Sequence, residues 1–334
     1  MSVKGRTIGL TCIPKSDARV EKHERISLPM IDLGGLNQKM STRSLVVEDI
    51  GNACSRLGCF KVINHGISKS VINGALEAAA GFFALSEEEK KEYASEDVHQ
   101  PVRYGVCTKD DRIIKPRDFL KQYANPLDEW IKFWPHSPPD YREKMGKFAT
   151  EVKRVALQLM DAIFESLGLG KAYTREKLEE GMQVMTVNNY EKSSQLKDLM
   201  LGLAAHSDYG YITILLQSCD GLEIVDKNTN TWKAVPAESE ALHVHIGDYL
   251  EVLSNGQYKS VVHRVILNCK KRMSIASIHG LSIDDMVIPA SQLVDEQHPK
   301  GYKDSSFRDF LSFISMNDFT KGCNFIDSLR TDNS

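Results

Sequence analysis

The longest regular pattern of apolar positions lies between Tyr141 and Leu167, near the middle of the chain. Its apolar side chains recur every three or four residues, which is the spacing of one helix face; they are Met145, Phe148, Val152, Val155, Leu159 and Ile163. Gly168 and Gly170 follow, and glycine is typical of the position after a helix end. The pattern predicts a long amphipathic helix with one face buried in the core.

Shorter helices are predicted on either side of it. Apolar spacing indicates helices over residues 45–57 and 69–84, and the Ser86–Glu89 run is a capping box that would begin a short helix. Residues 99–117 mix proline, glycine and charge, which favours a loop or a short strand. Residues 306–316 are predicted to form a C-terminal helix.

From about residue 183 the pattern changes to short β-rich segments separated by turn residues. The segments are 183–190, 211–216, 222–226, 231–235, 241–246, 260–267 and 272–279. Many short strands at even spacing are typical of a β-sandwich or a jelly roll.

His206, Asp208 and His263 are the most informative polar residues of this β-rich region. On a strand, residues two apart point to one face, so His206 and Asp208 would lie together, and a second strand packed against the first would supply His263. Two imidazoles and one carboxylate form the facial triad of non-haem Fe(II) oxygenases. An H-x-D pair alone is a weak signal, since a surface histidine and a turn aspartate are the ordinary alternative.

Two further pairs have the same spacing. Arg272 and Ser274 would share one strand face, and so would Asn188 and Tyr190. A guanidinium inside a barrel is costly unless it is paired, and its fork fits a carboxylate. Taken alone, Arg272 would equally suit a salt bridge at a strand end, and Asn188 with Tyr190 a turn beside a core tyrosine.

In this order, N-x-Y, H-x-D, H and R-x-S resemble the plant 2-oxoglutarate/Fe(II)-dependent dioxygenases of the isopenicillin-N-synthase-like superfamily. Segments 28–33, 58–67, 82–86 and 117–121 resemble further motifs of that family. The resemblance covers about residues 28–330. Within the family the chain looks most like the specialised-metabolism branch, which includes flavanone 3-hydroxylases, flavone synthases, hyoscyamine 6β-hydroxylase-like enzymes and salicylate hydroxylases.

The resemblance implies a mixed α/β (α+β) fold. Its core would be a double-stranded β-helix, a distorted cupin-like jelly roll, with flanking N-terminal helices and the long helix as a buttress. The implied regions are a flexible arm (1–26), an N-terminal dioxygenase region (27–125), a helical linker (126–182), the jelly-roll domain (183–320) and a C-terminal tail (321–334).

The resemblance also implies the chemistry of an oxidoreductase. His206, Asp208 and His263 would hold Fe(II), and the enzyme would consume 2-oxoglutarate and O2, with ascorbate as reductant. Residues implied to contact 2-oxoglutarate are Arg272, Ser274, Tyr190, Asn188, Leu215 and Val265. A small plant specialised metabolite or hormone would be hydroxylated, desaturated or cyclised while 2-oxoglutarate is decarboxylated to succinate.

The substrate pocket is expected, by position and resemblance, to include Tyr104, Phe119, Lys121, Tyr209, Ile278 and Phe313. Ordinary core or surface packing is the alternative for each. A pocket of this composition suits an aromatic or terpenoid molecule. His243 and His245 lie where relatives show V-N-I-G-D, and we interpret them as core or supporting histidines rather than extra metal ligands.

Composition narrows the class of partner. The 334 residues carry a net charge of −3, with no basic excess and no apolar run of transmembrane length, so we expect no nucleic-acid or membrane partner. The N-terminus lacks a signal-peptide core. The seven cysteines are scattered and odd in number, which indicates reduced thiols. We expect a cytoplasmic monomer that acts on a small molecule.

Two alternatives stay open. One is an oxidase of the same fold that does not consume 2-oxoglutarate, in which the R-x-S pair holds a substrate carboxylate. The other is a non-catalytic jelly roll that only binds a small molecule. Succinate formation separates the first alternative from the main prediction, and ligand binding without iron or turnover would indicate the second.

Overall fold

The computed structural model describes residues 24–107, 117–170, 175–192, 201–316 and 324–331. Most of the predicted arm (1–26) and parts of the predicted tail (321–334) lie outside the described residues.

Helices dominate the first half of the chain. The elements there are β1 (Met30–Asp32), α1 (Met40–Arg56), β2 (Cys59–Ile63), α2 (Lys69–Phe83), α3 (Glu87–Lys91), β3 (Val102–Cys107), β4 (Arg117–Tyr123), α4 (Leu127–Trp130), α5 (Tyr141–Ser166) and α6 (Arg175–Glu180).

Strands dominate the second half. The elements are β5 (Gln183–Tyr190), β6 (Leu201–His206), β7 (Ile212–Gln217), β8 (Leu222–Asp226), β9 (Thr231–Ala234), β10 (Leu242–Ile246), α7 (Asp248–Leu253), β11 (His263–Ile266), β12 (Arg272–His279), α8 (Phe307–Met316) and α9 (Phe325–Leu329).

The strands form two sheets. The larger has eight strands in the order β1-β2-β10-β7-β12-β5-β4-β3, and the smaller has four in the order β6-β11-β8-β9. Side chains from both sheets line one cavity, so the sheets face each other across it. The fold is therefore the predicted mixed α/β jelly roll, in which the first-half strands β1–β4 extend the large sheet at both edges.

The long helix is confirmed as α5, and the six apolar residues of its predicted face are fully buried. It packs against α1 and α2 on one side and against β7 and β12 on the other. The chain leaves the helix through Gly168, whose φ of +74° is in the left-handed region that favours glycine. The helix thus supports the side of the large sheet that faces away from the cavity.

Several elements differ from the prediction. Residues 102–107 and 117–123 form a hairpin of two strands, whereas a loop or one short strand was predicted for 99–117. Strand β6 was not predicted, because its Leu-Gly-Leu-Ala-Ala-His sequence lacks the β-branched residues that indicate a strand. Helix α7 was not predicted either, since it is short and buried on all sides. Among the described residues, no helix combines the length and apolar character needed to cross a bilayer.

Candidate active site

His206, Asp208 and His263 meet at the edge of the cavity, but not in the way the sequence suggested. Strand β6 ends at His206, Asp208 lies in the loop that follows, and His263 opens β11. The prediction of two strands packed face to face was wrong, because β6 and β11 are neighbours in one sheet with His206 and His263 as direct Cα partners. Asp208 reaches its position through the turn of the chain at the strand end, not through strand alternation.

The three side chains form one group of possible metal donors. Each offers one ligand atom, and the three atoms lie within 4.8 Å of one another. Asp208 Oδ1 is 3.7 Å from His206 Nε2 and 4.0 Å from His263 Nε2. In the described residues, no other cluster of three histidine, cysteine or acidic side chains has this geometry.

The backbone orients both imidazoles. His206 Nδ1 donates to the carbonyl oxygen of Ala204 at 2.9 Å, and His263 Nδ1 donates to that of Val261 at 3.2 Å. A proton on Nδ1 leaves the lone pair on Nε2, which faces Asp208 in both residues. Burial, together with the neighbouring His263, lowers the pKa of His206 to about 4, so this imidazole is neutral and able to bind a metal at neutral pH. The donor set of two nitrogens and one carboxylate fits Fe(II).

The cavity beside this group has a volume of about 280 Å³. One wall is the inner face of the large sheet, where paired residues of neighbouring strands form rows of side chains across the sheet. One row runs through Arg117, Tyr190 and Arg272, and the next through Phe119, Asn188 and Ser274. The small sheet forms the opposite wall, to which β11 contributes Val265. Strand alternation therefore points the residues of both predicted pairs into one space.

Arg272 is a buried cation in this wall, with 2 % of its surface exposed. Its guanidinium donates to Gln217 Oε1 at 2.8 Å, to Ser274 Oγ at 3.2 Å and to the carbonyl of Cys219 at 3.3 Å. The Tyr190 ring lies 5.0 Å from it. All three acceptors are neutral, and the described part of the chain places no carboxylate in an ion pair with Arg272. Gly221 allows the Arg272 side chain to pack closely against the backbone, because a Cβ at residue 221 would lie 3.0 Å from Arg272 Cδ. The φ of Gly221, +145°, is also one that other residues rarely adopt.

The other residues predicted to contact 2-oxoglutarate also line the cavity. Leu215 and Val265 approach from opposite sheets. Asn188 donates to the carbonyl of Thr186 at 3.3 Å, while its buried Oδ1 has no hydrogen-bond partner in the described residues. An unsatisfied buried oxygen at a cavity wall is suited to a bound ligand or water.

Four of the six predicted substrate-pocket residues line the cavity, namely Phe119, Lys121, Tyr209 and Ile278. Tyr104 does not, because it points to the other face of β3 and packs against Phe82, with ring centroids 6.0 Å apart. Phe313 does not line it either.

Phe313 lies one helical turn beyond the cavity and packs against Phe325 at 5.4 Å. Phe310 of α8 lines the cavity where Phe313 was expected, and its ring lies 4.2 Å from that of Tyr209. A one-turn error of this kind arises because the sequence fixes the apolar stripe of a helix but not which of its turns reaches a neighbouring cavity.

Sequence reasoning missed Arg103 and Arg117, which also line the cavity. Arg117 is two residues from Phe119 and therefore shares its strand face. Arg103 could have been placed on the same face if residues 102–107 had been predicted to pair with β4 as a strand.

His243 and His245 lie outside the three-donor group. His245 is fully buried, lines the cavity and packs against the His263 ring at 4.7 Å. His243 Nε2 lies 3.1 Å from Gln217 Nε2, and Gln217 in turn accepts a hydrogen bond from Arg272. His243 therefore contacts Gln217 from outside the cavity lining, whereas His245 is part of the cavity wall beside His263.

Comparison with known proteins shows which family this chain resembles. A family model described as the N-terminal region of a non-haem dioxygenase in morphine synthesis matches residues 28–137, and the model of the 2OG-Fe(II) oxygenase superfamily matches residues 182–280. The chain is 56% identical over 306 residues to 2-oxoglutarate-dependent dioxygenase 21, chloroplastic, of Oryza sativa subsp. japonica, which covers 91% of each chain. It is 53% identical over 320 residues to flavanone 3-dioxygenase 3 of the same organism, covering 95% of this chain and 98% of the relative. The crystal structure of JOX2 in complex with 2OG, Fe and JA superposes with a TM-score of 0.76 at 28% identity, over 91% of this chain and 90% of that one.

Proposed function

The chain belongs to the 2OG-Fe(II) oxygenase superfamily, and we propose that His206, Asp208 and His263 are its iron ligands and Arg272 its anchor for 2-oxoglutarate. It is a 2-oxoglutarate-dependent dioxygenase, an enzyme that couples decarboxylation of 2-oxoglutarate to succinate with oxidation of a small organic molecule.

The buried charge of Arg272 carries this assignment. A guanidinium removed from water and bonded only to neutral oxygens is poorly compensated. The distal carboxylate of 2-oxoglutarate would supply the missing negative charge and would fit the guanidinium fork with two parallel hydrogen bonds. Ser274 accepts a hydrogen bond from Arg272 and the Tyr190 ring lies 5.0 Å from the guanidinium, so both would help to orient that carboxylate.

The apolar wall residues match the methylene carbons of 2-oxoglutarate. Leu215 and Val265 are apolar, face each other across the cavity and would pack against its methylene carbons. Iron, when bound, supplies chelation of the keto acid and activation of dioxygen. The protein orients both substrates and keeps bulk water away from the reacting carbon. Ascorbate is the proposed reductant.

We propose a compact, partly aromatic plant metabolite or hormone as the substrate. The rings of Phe119, Tyr209 and Phe310 and the side chain of Ile278 offer it an apolar surface beside the donor group. The proposed reaction is hydroxylation, desaturation or ring closure of that molecule.

Anaerobic titration of the Fe(II)-loaded protein with 2-oxoglutarate tests the assignment. We expect the weak visible charge-transfer band of a keto-acid chelate, and we expect His206→Ala to lose both the bound iron and the band. Succinate formed in air then separates this function from a same-fold oxidase. Iron binding without the band would favour the oxidase, and failure to bind iron would overturn the ligand assignment.

We also propose a monomer in the cytoplasm with no nucleic-acid or membrane partner. The support is the ordinary charge balance and the four cysteines whose side chains the structure describes, Cys54, Cys59, Cys219 and Cys269, all of which are free thiols. Light scattering after size-exclusion chromatography tests the monomer. Imaging of a fluorescent fusion tests the compartment, and plastid fluorescence would overturn the cytoplasmic assignment.

A further inference from the structure

Helix α7 contacts both of the chain segments that supply the donor group. Its six residues are all buried. The backbone N–H of Asp248 donates to the carbonyl of Asp208 at 2.7 Å. The backbone N–H of Tyr249 donates to the carbonyls of Tyr209 and Gly210, both at 3.2 Å. The first turn of the helix therefore holds the loop that carries Asp208.

Glu251 lies further along α7 and contacts the segment that leads to His263. Only 1 % of its surface is exposed. Its Oε2 accepts hydrogen bonds from the backbone N–H of Ser260 at 2.8 Å and from Ser260 Oγ at 3.1 Å. Residues 260–262 precede β11 and belong to no strand. The carboxylate therefore pairs with a backbone donor that is not bonded within a sheet.

Ser260 is linked to the His263 imidazole through its neighbour Val261. The carbonyl of Val261 is the acceptor for His263 Nδ1, so its position sets the direction of the Nε2 lone pair. Two further backbone hydrogen bonds, at 3.2 and 3.0 Å, join residues 261–262 to β10 and β8. Loss of the Glu251 contact is therefore expected to loosen the imidazole and not to release the whole segment.

The other oxygen of Glu251 is bonded to groups outside the site. Its Oε1 accepts from the Tyr302 hydroxyl at 2.8 Å, from Arg330 Nη2 at 3.2 Å and from Lys259 Nζ at 3.3 Å. Burial acts to raise the pKa of Glu251, but the charge of Lys259 and the N–H of Ser260 help to hold that pKa below its ordinary value. The carboxylate is therefore ionised at neutral pH, and both of its oxygens accept hydrogen bonds.

We propose that Glu251 is a positioning residue of the iron site, which keeps His263 at its place beside Asp208. It acts through Ser260, while the first turn of the same helix holds the Asp208 loop. A donor set that is already in place binds a metal more tightly, because less freedom is lost on binding. This inference rests on the proposed function, since it requires His206, Asp208 and His263 to be the iron ligands.

The Kd for Fe(II), measured anaerobically on the full chain by competition with a chelator, tests the inference. Glu251→Ala removes the contact with Ser260 and should raise this Kd about tenfold or more. Glu251→Gln keeps an oxygen that can accept from the Ser260 N–H, so its Kd should stay within about threefold of wild type. If Glu251→Ala does not fold, Glu251→Asp takes its place. Aspartate keeps the charge but is one methylene shorter, so the same rise in Kd is expected.

Two control variants separate positioning from stability. Tyr302→Phe removes a hydrogen bond to Oε1 but leaves the contacts between Oε2 and Ser260 in place. Phe148→Ala removes a buried ring from α5 and destabilises the fold at a distance from the donor group. Both should bind Fe(II) with a Kd within about threefold of wild type. A merely structural role of Glu251 would lower the melting temperature, as Phe148→Ala does, without changing the Kd.

The visible absorption bands of the Co(II)-loaded protein give a second readout, because they report the geometry of the metal ligands. They should change in Glu251→Ala and remain as in the wild type in both controls.

Three results would overturn the inference. They are a folded Glu251→Ala or Glu251→Asp protein with the wild-type Kd for Fe(II), an equal rise in Kd in the two controls, and no recovery of affinity in Glu251→Gln. If the wild-type chain itself does not bind Fe(II), the proposed function has failed instead, so the two failures are distinguishable.

Discussion

Arg272→Met is the perturbation that tests the site most directly. Methionine keeps much of the apolar volume of arginine but removes the charge and the guanidinium fork. If Arg272 holds the distal carboxylate of 2-oxoglutarate, this variant loses two charge-assisted hydrogen bonds, each worth about 1.5–3 kcal/mol. The summed loss is about 3–6 kcal/mol. At 1.4 kcal/mol per tenfold change, the Kd for 2-oxoglutarate should rise by at least about 100-fold.

Arg272→Lys separates charge from geometry. Lysine keeps the positive charge but cannot form the two parallel bonds, so we expect a smaller rise in Kd of roughly 10–100-fold. Both variants should still bind Fe(II), because Arg272 is not part of the donor group.

The assay is anaerobic titration with 2-oxoglutarate, followed by the charge-transfer band, with iron content measured in parallel. Arg43→Met is the control, since Arg43 forms its ion pair with Glu165 at 2.5 Å on the helical side of the molecule. It should bind 2-oxoglutarate as the wild type does. A folded Arg272→Met protein whose Kd for 2-oxoglutarate stays within about threefold of wild type would refute the role given to Arg272.

Two further predictions concern Tyr190 and the long helix. Tyr190→Phe keeps the ring 5.0 Å from Arg272 but removes one hydroxyl, so the Kd for 2-oxoglutarate should rise by about threefold to tenfold; an unchanged Kd would exclude a bond from that hydroxyl. Phe148→Ala in α5 removes a fully buried ring and should lower the free energy of unfolding in urea by about 3–5 kcal/mol, whereas the exposed neighbour Lys147→Ala should change it little; equal effects would contradict the core role of that helix face.

Local patterns in the sequence were enough to predict the long helix and the candidate site residues. The spacing of apolar residues from Met145 to Ile163 was enough to predict α5 and its buried face, because helix periodicity depends only on neighbours along the chain. The ordered motifs N-x-Y, H-x-D, H and R-x-S predicted iron chemistry through their resemblance to a family, whereas the H-x-D pair alone was a weak signal.

Pairing between distant segments decided the rest. β6 has little strand propensity of its own and exists as a strand because it pairs with β11, which also places His206 beside His263. The choice between the two faces of β3 depends on its register with β4, and that register turns Arg103 into the cavity and Tyr104 into the helical core. Sequence periodicity shows which residues of a strand share a face, but only the assembled sheets determine which of the two faces lines the cavity. The presence of Arg103 and Arg117 in the cavity lining could therefore be recognised only once the tertiary structure had brought β3, β4 and the donor group together.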